Sequence, residues 1–125
     1  MKFTLESPLV TTIRSVSDAE IRIGERSYSA PVALTAAGVL DDWTAVPVET
    51  LGVADLAALL ATGPELIVVG TGSKQILPGR ELMFAMARKG VGLEVMDTRA
   101  AARTFNVLIG EGRSVAAVFY LASAS

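Results

Sequence analysis

The sequence contains no cysteine and no histidine. Without cysteine there is no disulfide framework, no thiolate nucleophile and no cysteine-based metal site. Histidine is the commonest general base and a common metal ligand, so Ser-His-Asp and Cys-His catalysis are excluded within this chain. The sequence leaves the question of an enzyme open but favours a non-catalytic protein, with no metal site and no cofactor.

Long apolar runs are also missing. No run approaches the roughly 20 residues that a membrane-spanning helix needs, and Glu6 and Pro8 interrupt the start "MKFTLESPLV", which is unlike a signal peptide. Positive charge is not in excess, because 11 Lys and Arg stand against 13 Asp and Glu, a net charge of -2. We therefore expect a soluble, cytoplasmic protein that is not an integral membrane protein and does not bind nucleic acid.

The chain has a globular composition, with 51% hydrophobic and 19% charged residues among its 125. Its length suits a single domain, 1–125. Residues 10–46 contain short β-branched or alternating segments separated by turn signals: "VTTIRSV", "EIRI", "RSYSA", "PVALTA" and "VLDDWTAV". This pattern predicts an N-terminal antiparallel β meander with one buried face.

Strands and helices alternate after Pro47. A helix is predicted in "TLGVADLAALLATGP", with Thr50 as its N-cap, followed by a strand in "ELIVVG" and a helix in "PGRELMFAMARKG". The strand "VGLEVM", the helix "TRAAARTFNVLIG" and the strand "RSVAAVFYL" complete the pattern. Such alternation predicts an α/β fold whose central sheet is largely parallel or mixed.

The segment "VVGTGSKQILPGREL" places Gly70-Thr71-Gly72 between a strand and a helix. Loops at the carboxyl ends of strands are where α/β folds place ligands, and glycines allow close approach of the backbone to an anion. The dinucleotide fingerprint and the Walker pattern are both absent, however. Two interpretations stay open: a loop that binds an anion, or a turn for which glycine is needed.

Asp97 and Thr98 follow the next strand, so their loop is expected to lie beside the first one and to form a shared depression, with Asp97 as an N-cap. Arg99, Arg103 and Asn106 share one face of the following helix, which is either a solvated face or a surface that binds an anion or a partner. Ala101, Phe105 and Leu108 form the core face. The candidate ligand-binding residues are Gly70, Thr71, Gly72, Lys74, Asp97, Thr98, Arg99, Arg103 and Asn106.

Glu94 is unusual because a buried parallel strand should be continuously apolar. Either this strand lies at the edge of the sheet, or Glu94 forms a structural ion pair with an arginine such as Arg99 or Arg103. The ion pair is our preferred interpretation, and we predict that the Glu94 carboxylate contacts an arginine or backbone N–H groups. If a hydrogen bond to a charged group is lost, Glu94→Gln should cost about 1–3 kcal/mol.

The stretches "PELIVVGTG" and "GVGLEVMDTRAAARTFNVLIGEGRSVAAVFYL" resemble the family called domain of unknown function 498 over residues 64–120, and Trp43 is the best anchor before them. The resemblance is carried by Gly70-Thr71-Gly72, Glu94, Met96-Asp97-Thr98, Arg103-Thr104, Asn106 and Glu111-Gly112-Arg113. Phe105 departs from the family, which often has tyrosine there. The resemblance implies a three-layer α/β fold with a mixed central β-sheet, flanking helices and an additional β layer.

The resemblance implies no established reaction. The mitochondrial members of that family, complex I assembly factor 3 among them, act through protein contacts during respiratory-complex assembly. We therefore predict a non-catalytic, assembly factor-like module that binds an unknown protein partner, as a monomer or homodimer. The alternative is a protein that binds a small anion, or a cryptic enzyme, using the crevice between the loops at 70–78 and 97–99. A double change of Lys74 and Arg99 to alanine would then abolish anion binding.

Overall fold

A computed structural model describes residues 12–122 of the chain. Within this range eight strands form two separate sheets. In chain order the strands are β1 (Ile13–Val16), β2 (Ile21–Ile23), β3 (Arg26–Tyr28), β4 (Val32–Thr35), β5 (Gly38–Val39), β6 (Leu66–Thr71), β7 (Gly92–Met96) and β8 (Val115–Tyr120). The first three form a small antiparallel sheet, and the other five form the central sheet.

The central sheet has the strand order β5-β4-β8-β6-β7. β6 is parallel to both of its neighbours, β7 and β8, whereas β4 is antiparallel to β8. All six residues of β6 and all six of β8 are buried, as expected for strands that are covered on both faces. The sheet is therefore mixed, and β7 is one of its two edges.

Three helices connect or flank these strands: α1 (Ala57–Leu60), α2 (Arg80–Lys89) and α3 (Thr98–Gly110). α2 ends where Gly90 adopts the left-handed conformation, with a φ of 73°. α3 begins at the predicted N-cap, because Oδ1 of Asp97 accepts a hydrogen bond of 2.9 Å from the N–H of Ala100. Both boundaries follow from local sequence signals.

Two hydrophobic cores cover the two faces of the central sheet. On one face the small sheet and α3 bury isoleucines and the T-shaped pair of Phe105 and Phe119, whose ring centroids are 5.9 Å apart. On the other face α1, α2 and the preceding turns pack through leucines and Met86. The resulting arrangement is a mixed sheet between helices, with an additional β layer, and it confirms the predicted fold class.

The predicted meander is correct only for its first three strands. β4 and β5 leave it and join the central sheet, where Val32 is paired with Phe119. Of the predicted strand "VLDDWTAV" only Val39 lies in a strand, and residues 10 and 11 of the first predicted strand lie outside the described residues. The pairing of β4 with a strand so distant in sequence has no local signature.

The predicted helix at 50–64 is wrong in most of its length. Short 3-10 turns occupy Val48–Thr50 and Val53–Leu56, and α1 is a single turn. Thr50 is not an N-cap, since its hydroxyl donates to the carbonyl of Pro47 at 3.0 Å. Instead Gly52 is extended, with a φ of -124° and a ψ of 173°, and the Asp55 carboxylate accepts its N–H at 2.9 Å, so the chain is interrupted there and a new turn begins at Val53.

The ion pair predicted for Glu94 is not found among residues 12–122. Its side chain is exposed on the edge strand β7, and it forms no ion pair with any residue in 12–122. The edge position explains why a charged residue is tolerated there. Glu94→Gln is therefore expected to change the free energy of unfolding by less than about 0.5 kcal/mol in urea unfolding. A loss of more than about 1 kcal/mol would restore the idea of a structural partner.

Candidate functional site

The two predicted loops do lie side by side. β6 and β7 are parallel neighbours, so the loops at 70–78 and 97–99 emerge at the same edge of the sheet. A cavity of ≈ 70 Å³ is found there. From the predicted loops it is lined by Gly72, Ser73, Asp97, Thr98 and Arg99, and the β1–β2 turn and the end of β8 close it. It is small for a metabolite, since ligand pockets usually have several hundred Å³.

The Gly-Thr-Gly segment is bound tightly to the start of α3. The N–H of Gly72 donates to Oγ1 of Thr98 at 2.8 Å, and the N–H of Thr98 donates to the carbonyl of Gly72 at 2.9 Å. The Thr98 hydroxyl in turn donates to the carbonyl of Tyr120 at 2.6 Å. Gly72 has a φ of 99°, which favours glycine. These contacts support the interpretation of the segment as a structural turn.

Thr71 fixes the shape of the loop that follows. Its side chain is buried, and its hydroxyl donates to the carbonyl of Lys74 at 2.6 Å and accepts the N–H of Ile76 at 3.0 Å. The Lys74 side chain is exposed and does not line the cavity. The lysine expected beside the depression is therefore outside it.

The donors at the start of α3 are mostly used. The N–H of Thr98 is bonded to Gly72 and that of Ala100 to Asp97, so the cap already supplies the negative charge that the helix end favours. Asp18 and Asp97 line the cavity against a single cation, Arg99. This charge pattern gives little support to the binding of an anion.

The polar face of α3 holds the small sheet. Arg99 donates from its guanidinium to the carbonyl of Val16 at 2.6 Å. Asn106 accepts the N–H of Ile13 and donates to the carbonyl of the same residue, both at 2.9 Å. Arg103 is exposed on the same face and lines a shallow groove beside β1. Arg99 and Asn106 thus act like an additional strand along β1.

A larger, mostly apolar pocket of ≈ 430 Å³ lies on the opposite side of Tyr120. Ile76, Leu121 and the segment at 45–49 line it, and the hydroxyl of Tyr120 donates to the carbonyl of Val46 at 2.6 Å. Burial, with a smaller contribution from the carboxylates of Asp55 and Glu49, raises the pKa of Tyr120 to about 12. No local sequence pattern indicates this pocket, because residues from distant segments of the chain form it.

This raised pKa predicts a decrease in stability at high pH. Below the ordinary tyrosine pKa of 10.0, Tyr120 is neutral in both the folded and the unfolded chain. Between pH 10 and about 12 the unfolded chain loses the proton first, so the free energy of unfolding decreases as pH rises. Urea unfolding of the wild type and of Tyr120→Phe at several pH values isolates the contribution of Tyr120. All other groups titrate in both proteins, so the difference between their pH slopes belongs to this side chain. Equal pH slopes for the two proteins would contradict the prediction.

The structure also exposes apolar side chains that sequence reasoning missed. Leu77 is 62% exposed, Phe84 58% and Met83 39%, all within or just before α2. The buried stripe of α2 consists of Leu82 and Met86. Met83 and Phe84 are rotated from Leu82 by roughly 100° and 200° around the helix. The sequence signal for this exposure was the presence of two large apolar residues, Met83 and Phe84, outside the buried stripe of the helix.

Beside α2 the chain forms a groove of ≈ 540 Å³. Phe84, Ala85 and Arg88 line its helical side, and the turns at 49–53 form the other. Across residues 12–122 no group of three or more Asp or Glu side chains is placed to hold a metal ion. In the same range no helix has both the length and the apolar composition to cross a bilayer.

Comparison with curated proteins reveals two kinds of relative. The chain is 34% identical over 99 residues to the 13 kDa major membrane protein of Francisella tularensis, with 78% of this chain and 79% of that protein covered. It is 31% identical over 110 residues to the bovine NADH dehydrogenase [ubiquinone] 1 alpha subcomplex assembly factor 3. That match covers 86% of this chain but 59% of the bovine protein, so the chain spans little more than half of this relative.

Solved structures share the whole fold. A Xanthomonas campestris protein determined by NMR is 29% identical, with a TM-score of 0.79 over 98% of this chain and 96% of that one. A Bordetella parapertussis crystal structure is 33% identical, with a TM-score of 0.78 over 92% and 98% of the two chains. The family model described as "Protein of unknown function (DUF498/DUF598)" matches residues 13–120. The chain therefore belongs to this family of proteins of unknown function.

Proposed function

We propose that this protein is a non-catalytic, assembly factor-like module, a single domain that acts in the cytoplasm by binding a protein partner. The observation that carries the proposal is the exposure of Leu77, Met83 and Phe84 around α2. Large apolar side chains that cluster on a surface mark sites where another protein binds. The adjacent groove of ≈ 540 Å³ gives such a partner a concave surface beside Phe84.

The hydrogen bonds of the loops at 70–78 and 97–99 support a role without catalysis. Hydrogen bonds to backbone groups of the chain engage the side chains of Thr71, Thr98, Asp97 and Asn106. A catalytic acid or base needs a group that can reach a substrate, whereas the hydroxyls of Thr71 and Thr98 and the amide of Asn106 are engaged by backbone groups of the chain. The similarity to assembly factor 3 proteins, which is modest in identity, points to the same kind of function.

Site-specific photo-crosslinking tests the proposal. A photoreactive residue at Phe84 is expected to capture one protein repeatedly in cells at native expression. Val107 on α3 is the matched control, because it is also apolar and 58% exposed but stands apart from the α2 surface. Capture of the same proteins at both positions, or of none at Phe84, would contradict the proposed function.

The variant Phe84→Ser separates binding from folding. The side chain is 58% exposed, so its loss is expected to change the free energy of unfolding by less than about 0.5 kcal/mol. Recovery of the captured partner by affinity purification should nevertheless decrease strongly, since apolar anchors dominate interface energetics. Undiminished recovery with Phe84→Ser would place the interface elsewhere.

A further inference from the structure

The outer side of β7 carries backbone groups that pair with no other strand in the described range, 12–122. The N–H of Gly92 donates to the carbonyl of Glu65, so Gly92, Glu94 and Met96 direct their backbone groups toward β6. Because this direction alternates along a strand, Leu93 and Val95 direct theirs outward. Along this outer side, within the described residues, one hydrogen bond is formed, from Nε2 of Gln75 to the carbonyl of Val95 at 2.8 Å.

The other long edges of the fold are protected. β1 is covered by Asn106 and Arg99, which bond to its backbone. The remaining edges are short, since β3 has three residues and β5 two. Short edges and covered edges are the usual ways in which proteins prevent unwanted strand pairing. β7 has five residues, no proline and a regular register with β6. Its protection consists of the exposed Gln75 side chain and the charge of Glu94.

Glu94 argues against a second copy of this chain as the occupant. A twofold, antiparallel pairing that used both Leu93 and Val95 would place Glu94 opposite its own copy, and like charges at such positions are destabilising. Moving the twofold axis to Leu93 would require the N–H of Val91, which already donates to the carbonyl of Met86. Moving it to Val95 would require Asp97, where the chain turns into α3.

We propose that β7 is a strand-addition site for an extended peptide segment of a partner protein, with a lysine or arginine opposite Glu94. Leu93 and Val95 pack on the α2 side of the sheet. The two peptide residues on either side of the cation face that same side, and they are therefore apolar. Backbone bonds to Leu93 and Val95 supply affinity, while the charge pair supplies register. The Gln75 amide occupies the carbonyl of Val95 until the peptide displaces it.

A random library of peptides of about ten residues, selected on the immobilised full chain, tests this proposal. Enriched peptides are expected to carry a basic residue between apolar ones. Val95→Pro removes one outward N–H without altering the β6 ladder, and should weaken their binding about tenfold. Gln75→Ala should strengthen it, because the competing amide is gone. Glu94→Lys should change the selected charge from basic to acidic.

Several outcomes would overturn the proposal: no enrichment, equal binding by Val95→Pro, or a dimer of the wild type that Val95→Pro dissociates, which would make a second copy the occupant. If Val95→Pro does not fold, amide hydrogen exchange of the wild type decides. Added peptide should slow exchange at Leu93 and Val95, and unchanged exchange there counts against the site.

This inference rests on the proposed interaction function, but the two can fail separately. A partner captured at Phe84 that Val95→Pro still binds would leave the function intact and refute the strand-addition site. Absence of any captured partner would refute the function itself.

Discussion

Thr98→Val is expected to lower the free energy of unfolding by about 2–5 kcal/mol, because two buried backbone groups would lose their partners. The Thr98 hydroxyl accepts the N–H of Gly72 at 2.8 Å and donates to the carbonyl of Tyr120 at 2.6 Å. Valine has nearly the same shape but satisfies neither group. Urea unfolding measures the change.

Thr98→Ser is the matched control. It keeps the hydroxyl and loses one methyl group, so it should cost only about 1 kcal/mol. Similar losses for the valine and serine variants would show that packing rather than hydrogen bonding determines the stability at this position.

Gly70→Ala is expected to destabilise the fold by about 1–3 kcal/mol or more, because the added methyl has no space. A Cβ at Gly70 would lie 2.9 Å from the Cα of Thr98 and 3.0 Å from both the Cβ of Ala101 and the Cδ1 of Phe119. Two of these three atoms belong to α3, so the helix would have to move away from the sheet.

Gly110→Ala is the control for this prediction. No atom lies within 4 Å of a Cβ built at Gly110, which ends α3. Alanine there should be neutral or stabilise by about 0.5–1 kcal/mol through helix propensity. If Gly70→Ala unfolds at the same urea concentration as the wild type, β6 and α3 leave room for a methyl group at residue 70, which contradicts the prediction.

The contrast between the segment at 50–64 and the later elements α2, β7 and α3 shows which features can be predicted from a sequence. α2, β7 and α3 have boundaries set by local features, such as the left-handed Gly90 and the capping Asp97, and these were predicted closely. The segment at 50–64 has leucines at helical spacing, but Asp55 bonds to the backbone of Gly52 and divides it into turns. Local hydrogen bonds competed successfully with the periodicity.

The candidate site was predictable in placement but not in chemistry. Parallel strands bring consecutive loops to one edge, so the neighbouring positions of the loops followed from the pattern alone. The partners of Arg99 and Asn106 are backbone groups of Val16 and Ile13, and nothing in the sequence marks a carbonyl as a partner. Glu94 illustrates the same limit, since its exposure depends on the strand order rather than on its own neighbours.

The central position of β8 has a consequence for synthesis of the protein. β8 follows every other strand and helix of residues 12–122, yet it lies between β4 and β6 and contributes to both cores. While the ribosome is still making residues 115–120, β4 and β6 each lack the strand that pairs with them on the inner side of the sheet. Non-local pairing of this kind slows folding and leaves apolar strand surface open to chaperones and proteases. A stop codon shortly before position 115 should therefore yield a chain that is degraded rather than one that is partly functional.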